Sequence, residues 1–224
     1  MSDAPRTPPI TDPPIRLAVC VSGGGTTLQN LIDRIAAGGL RARVVQVVAG
    51  RRGIGAIARA GAAGIPVEVV ERRGRPLEEF SRDVFAPIRR SRADLVVLGG
   101  FLSLIQIPDD YAGRVINIHP ALIPAFCGKG FHGEAVHRAV VESGVKVSGC
   151  TVHFADATYD TGPIVLQHAV PVLDDDTPAD LAARVFAAEC EALPEAIRLY
   201  ADGRLKVEGR RVRILAPAEP PISS

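Results

Sequence analysis

The chain has no tryptophan, three tyrosines and one methionine in 224 residues, so aromatic stacking contributes little to its interior. Packing falls to valine, isoleucine, leucine and alanine, within an apolar fraction of 47% that is ample for one core. An excess of either charge is also missing. The 26 basic side chains stand against 25 acidic ones, which excludes the clustered cationic surplus that nucleic-acid phosphates require. Arginine groups at Arg72, Arg73 and Arg75, at Arg89, Arg90 and Arg92, and at Arg210, Arg211 and Arg213 read as solvated faces and turns. No apolar run approaches transmembrane length, so no membrane partner is expected. The four cysteines, Cys20, Cys127, Cys150 and Cys190, are scattered without a Cys-x-x-Cys pair. That spacing argues against a disulfide framework or a zinc site and fits a reducing, cytoplasmic compartment. Cys20 and Cys150 read as small core residues, and Cys127 as a loop residue with no activating neighbour.

What is present is an alternation of short apolar runs with helical periodicity. Residues 1–14, rich in proline and lacking an apolar signal core, read as a disordered lead-in, and residues 216–224 as a tail of the same kind. Residues 15–215 then form one domain. An apolar run at 16–21 ends in Ser22-Gly23-Gly24-Gly25, after which Leu28, Leu31, Ile32 and Ile35 recur at helical spacing. Further strands are expected at 44–48, 67–70, 95–98 and 115–118, with helices at 54–63 and 77–88. After a Pro- and Gly-rich loop at 120–133 come a helix at 134–142 and longer strands at 145–154 and 164–172. Thr177 and Pro178 open a helix reaching about Tyr200, with a distortion expected near Pro194, and a short hairpin closes the domain. Strands alternating with helices predict an α/β fold, an open and mostly parallel sheet with helices on both faces.

Two places carry chemistry. The Gly-rich turn lets backbone N–H groups approach a phosphate at a helix start, and Thr26 and Thr27 add hydroxyls. It departs from the dinucleotide pattern, because Leu28 takes the final glycine position and no acid ends the second strand. No Gly-Lys-Ser or Gly-Lys-Thr follows either, so a monophosphate is the expected ligand. The second place is Asn117 with His119 at the end of one apolar strand, and Asp160 before Thr161-Gly162-Pro163 at the start of another. Residues 117 and 119 share one face of a strand whose C-terminal end is where open α/β sheets bind ligands. His119 alone reads as a bonded structural histidine and Asp160 alone as a turn former. Together with Asn117 they read as a site, since three polar groups there are costly to bury unless they work. No metal is expected: His132, His137, His153 and His168 do not form a metal pattern, and the spacing of His132 and His137 does not place both on one helical face.

Four segments in combination, Ser-Gly-Gly-Gly-Thr-Thr-Leu-Gln-Asn at 22–30, Val-Val-Leu-Gly-Gly-Phe-Leu at 96–102, Asn-Ile-His-Pro-Ala-Leu-Ile-Pro at 117–124 and Asp-Thr-Gly-Pro-Ile-Val at 160–165, make the chain similar to the 10-formyltetrahydrofolate-dependent formyltransferases. The resemblance runs from about Arg16 to Leu205. It implies a Rossmann-like formyltransferase fold and transfer of a formyl group from 10-formyltetrahydrofolate to the amine of glycinamide ribonucleotide, a step of purine synthesis. It implies a phosphate at Gly25, Thr26 and Thr27, a ribose contact at Glu189, the folate head against Leu102, Ser103, Leu104, Ile105 and Asn117, and catalysis by Asn117, His119 and Asp160. The partners implied are these two small molecules, with the chain a monomer or homodimer. Ser103 stands where many members carry arginine.

The chemistry of the residues agrees. Formyl transfer to an amine passes through a tetrahedral carbon bearing an oxyanion, for which the Asn117 amide and a protonated His119 are suitable donors. Asp160 can organise the proton transfer through water or by holding His119 charged. Rival readings are a sugar-nucleotide formyltransferase, a formyltetrahydrofolate hydrolase, a non-catalytic folate- or nucleotide-binding protein, and a dinucleotide oxidoreductase.

Overall fold

The computed structural model describes residues 14–217, so the expected lead-in and tail lie outside the described residues except for Pro14, Ala216 and Pro217. Five strands, β1 (Ile15–Val21), β2 (Ala42–Ala49), β3 (Val67–Val69), β4 (Leu95–Leu98) and β5 (Val115–His119), pair in parallel in the order β3-β2-β1-β4-β5. They are linked through α1 (Thr26–Ala36), α2 (Gly55–Ala62) and α3 (Leu77–Arg90). After α4 (Glu134–Ser143), β6 (Val147–Phe154) and β7 (Ile164–Pro171) extend the sheet in antiparallel fashion. The chain then runs through α5 (Pro178–Ala201) into β8 (Leu205–Glu208) and β9 (Arg211–Ile214), and β9 joins β7 to complete nine strands. The expected mostly parallel α/β sheet is therefore the one that forms.

The apolar character of β1, interrupted only by the half-buried Arg16 near its start, has a direct cause. Ile15, Leu17, Val19 and Val21 enter a core shared with Leu28 and Leu31 of α1, Ala56 and Ala60 of α2, Val136 and Val140 of α4, and α5. Ala18 and Cys20 enter a second core with Phe80, Val84 and Ile88 of α3. Helices cover both faces, so from Leu17 to Val21 neither parity of the strand meets water.

α5 shows how a proline survives inside a helix. Pro194 has no N–H for the carbonyl of Cys190, one turn earlier, and the helix nevertheless runs through it. The Asn30 side-chain amide of α1 reaches that carbonyl at 3.4 Å. The distortion expected from sequence is thus absorbed by a neighbouring helix. At the start of α5, Thr177 Oγ1 accepts the Asp180 N–H at 3.2 Å while the Asp180 carboxylate accepts the Thr177 N–H at 3.0 Å.

The strand order reverses direction between β1 and β4, and the turns after these two strands meet where Ser22 N–H donates to Gly100 O at 3.0 Å. That crevice, at the C-terminal ends of β1, β4 and β5, is where an open α/β sheet offers a binding site.

Candidate active site

Asn117 and His119 project from one face of β5, and the antiparallel register sets them opposite His153 and Thr151 of β6. The four polar residues share that face. Thr151 anchors the chain just beyond β5: its hydroxyl donates to Ala121 O at 2.7 Å and accepts the Ile123 N–H at 3.1 Å. The segment so fixed brings the Phe126 carbonyl to His119 Nε2 at 2.9 Å. A carbonyl only accepts, so Nε2 carries the hydrogen and Nδ1 is left facing Asp160 Oδ2 at 3.6 Å.

Asp160 stands in the loop between β6 and β7 with φ of 57°, a left-handed conformation unfavourable for a residue with a side chain. The loop is tight: a Cβ on Gly162 would lie 1.8 Å from the Phe154 carbonyl, so only glycine fits there. Asp160 Oδ2 accepts the Gly128 N–H at 2.8 Å and Oδ1 accepts Asn117 Nδ2–H at 3.3 Å. His153 donates through Nδ1 to Phe154 O at 2.8 Å, which leaves its Nε2 to accept the other Asn117 amide hydrogen at 3.1 Å. His153 thereby sets which way the Asn117 amide points.

Burial is the largest influence on His119 and pulls it below its ordinary 6.5; the Asp160 carboxylate and the Phe126 carbonyl push upward without overcoming it. The expectation that Asp160 keeps His119 charged is therefore corrected: desolvation wins, and the ring is neutral at pH 7. For Asp160, burial alone would raise the carboxyl, but the His153 and His119 imidazoles beside it and the bond from the Gly128 N–H together hold it below the ordinary range. Burial pushes the Cys20 and Cys150 thiols up to about 12, consistent with inert core residues.

A cavity of about 360 Å³ opens in front of this group. One wall is the segment after β4, with Leu102, Ser103, Leu104 and Ile105; the rest of the lining includes residues 128–133 and the loop ending at Asp160. The Leu102 N–H donates to Ser22 Oγ at 3.1 Å, and the Leu104 N–H to the Tyr159 hydroxyl at 2.9 Å. The backbone polar groups of Ser103 and Ile105 take no partner among the described residues. A second cavity, of about 710 Å³, is lined by Thr26, Glu134, His137 and Glu189, and it shares Pro120 and Gly133 with the first. Burial raises the Glu189 carboxyl to about 7. His137 Nδ1 is buried in this wall with no hydrogen-bond partner among the described residues.

The structure thus gathers Asn117, His119 and Asp160 into one contact network, puts the four residues 102–105 in the first cavity, and puts Thr26 and Glu189 in the second. Gly25 supports the turn: its φ is 77°, and a Cβ would meet Ala56 Cβ at 2.6 Å. It also stands at the N-cap of α1 with no side chain capping the first turn. Thr27 lines neither cavity. A Cβ on Gly99 would touch the Thr27 Cβ and methyl at 3.3 Å, so its side chain packs under the end of β4.

A family model described as formyl transferase matches residues 15–197. The chain belongs to the formyl transferase family. The glycinamide ribonucleotide transformylase 1 structure from Symbiobacterium toebii is 42% identical and superposes with a TM-score of 0.82, covering 90% of this chain and 94% of that one. A chloroplastic phosphoribosylglycinamide formyltransferase of Arabidopsis thaliana is 39% identical, over 85% of this chain and 67% of that protein. A trifunctional purine biosynthetic protein adenosine-3 of Drosophila pseudoobscura pseudoobscura is 38% identical over 88% of this chain, which spans only 14% of that protein.

Two residues of this formyltransferase-family site escape a reading of the sequence. His153 appears there only as one of several scattered histidines, yet it touches both Asn117 and Asp160. A signal does exist: Thr151 and His153, two apart in an apolar strand, mirror Asn117 and His119. His137 gives no such signal, because its place depends on how residues 120–133 fold. Among the described residues, no group of three His, Cys, Asp or Glu could hold a metal, and no helix is long and apolar enough to cross a membrane.

Proposed function

We propose that the chain transfers the formyl group of 10-formyltetrahydrofolate to the amine of 5'-phosphoribosylglycinamide, giving the N-formyl product and tetrahydrofolate in purine synthesis. The observation that carries this reading is the placement of Asn117, His119 and Asp160 in the wall of the first cavity, next to Pro120, which that cavity shares with the second. A donor in one cavity and an acceptor in the other meet at these residues. The donor supplies an activated formyl carbon; the chain supplies position and proton traffic. Apolar Leu104 and Ile105 suit a flat pteridine, and the unpartnered backbone of Ser103 and Ile105 suits its polar edge. In the second cavity Thr26 and the uncapped start of α1 suit a phosphate, Glu189 suits the ribose hydroxyls, and a polar ligand would satisfy His137 Nδ1.

The amine attacks the formyl carbon, and the carbon–nitrogen bond to the folate then breaks. Asn117 Nδ2–H, whose bond to Asp160 is long at 3.3 Å, can turn to the developing oxyanion. The proton leaving the amine passes to the lone pair on His119 Nδ1, where Asp160 stabilises the imidazolium. That proton then goes to the departing folate nitrogen, so no group of the protein is consumed. The same reading has a cytoplasmic monomer or homodimer acting on small molecules, without nucleic acid or membrane partners; the balanced charge and the free cysteines support it. The test is a formyl-transfer assay with both substrates beside a control lacking the amine. Transfer with no hydrolysis in the control supports the proposal, and hydrolysis without transfer overturns it in favour of a formyltetrahydrofolate hydrolase.

A further inference from the structure

We propose that Tyr159 is a positioning residue for the formyl donor, its hydroxyl fixing how two adjoining segments of the first cavity's lining stand to each other. This rests on the function proposed above and adds a residue that the chemistry itself does not use. One wall is residues 102–105, which belong to no helix or strand and are tied singly, the Leu102 N–H to Ser22 Oγ at 3.1 Å and the Leu104 carbonyl to Arg72 Nη1 at 3.5 Å. The other is the loop that ends at Asp160. Tyr159 bridges them twice: the Leu104 N–H donates to its oxygen at 2.9 Å, and its hydroxyl donates to Leu102 O at 3.4 Å.

The loop that carries Tyr159 is itself stiff. The Asp156 carboxylate accepts the Thr158 N–H at 3.0 Å and the Thr161 hydroxyl at 2.7 Å, closing a side-chain turn around Tyr159. Tyr159 therefore adds to the Ser22 and Arg72 ties the two bonds that join this wall to the loop. Tyr159 takes Leu102 O and the Leu104 N–H, Ser22 and Arg72 take the other backbone groups of these two residues, and those of Ser103 and Ile105 are left for a ligand. Asp160, the next residue, is held separately by the Gly128 N–H and the Asn117 amide. Loss of the hydroxyl should therefore loosen the donor's wall and spare the carboxylate that works on the proton.

That separation makes the idea testable with Tyr159→Phe, which deletes one atom and keeps the ring packing. Wild type and variant are compared by calorimetry with a 10-substituted dideazafolate that cannot give up a formyl group, and by kinetics with both substrates. Amide hydrogen exchange at Leu104 is followed as well. Expected are a donor Kd and KM raised about three- to tenfold, the range for one lost hydrogen bond, with kcat within about twofold. Acceptor KM and Tm should stay unchanged, and the Leu104 amide should exchange faster. Unchanged donor affinity in the variant, or equal losses for both substrates with a lowered Tm, overturns the role of Tyr159. A wild-type protein that binds no dideazafolate overturns instead the functional reading on which it rests, so the two failures are told apart.

Discussion

His119 keeps a lone pair on Nδ1 because its other nitrogen is committed to the Phe126 carbonyl, and burial keeps the ring neutral. A neutral base beside a carboxylate accepts a proton more readily than an isolated one. His119→Ala and Asn117→Ala should each lose about 100- to 1000-fold in kcat while both ligands still bind, measured by single turnover and calorimetry. Asp160→Asn should cut turnover severely; near-normal chemistry in that variant would return Asp160 to the role of a turn former. An NMR titration gives a second reading of the pair. His119 should titrate below 6.5 in the wild type and lower still in Asp160→Asn, since the carboxylate is what pushes it upward. An unchanged or higher value would mean that Asp160 does not act on the ring. His153→Ala, which frees the Asn117 amide to rotate, should cost about tenfold in kcat, the worth of one well-placed hydrogen bond.

At the scale of elements, the start of α5 is secured twice. Thr177 and Asp180 exchange bonds across the first turn, and Asp176 accepts two bonds from Arg184 and one from the Leu173 N–H. Thr177→Ala should cost about 1 kcal/mol, which lowers Tm by about 2–4 °C in a domain of this size, read by calorimetric melting. The Arg184 guanidinium and then the Leu173 N–H hold the Asp176 carboxyl at about 2, below its ordinary value. Stabilisation from a depressed carboxyl is complete above the unfolded value near 3.8 and fades as pH falls toward 2. Asp176→Asn should therefore lower Tm at pH 7 and make little difference near pH 2. An equal loss at both pH values would assign the effect to packing rather than charge.

For the whole molecule, the Glu189 proposed to bind the ribonucleotide bears on stability. Its half-buried carboxyl, raised to about 7, destabilises the fold more when ionised than when protonated. Stability from this group is thus complete below its unfolded value near 4.5 and is lost as pH rises through 7. Glu189→Gln should raise Tm at pH 8, leave it unchanged at pH 4, and raise the KM for the ribonucleotide. A Tm gain independent of pH would show that the carboxylate is not the cause.

The sequence by itself determined the parts that rest on local chemistry. Apolar runs such as β1 needed cover on both faces, the periodicity of Leu28 and Leu31 needed a helix, and Thr177 before Pro178 needed a helix start. Asn117, His119 and Asp160 stood out because polar groups at the ends of buried strands are costly without a task. The tertiary structure decided everything that depends on which strands lie side by side. Only the antiparallel register of β5 and β6 brings His153, 36 residues away, onto Asn117. Only the packing of α1 on α5 offers Asn30 to the carbonyl that Pro194 frees. Whether His119 is charged was likewise decided by the fold, because desolvation and a neighbouring carboxylate pull in opposite directions and their balance depends on burial.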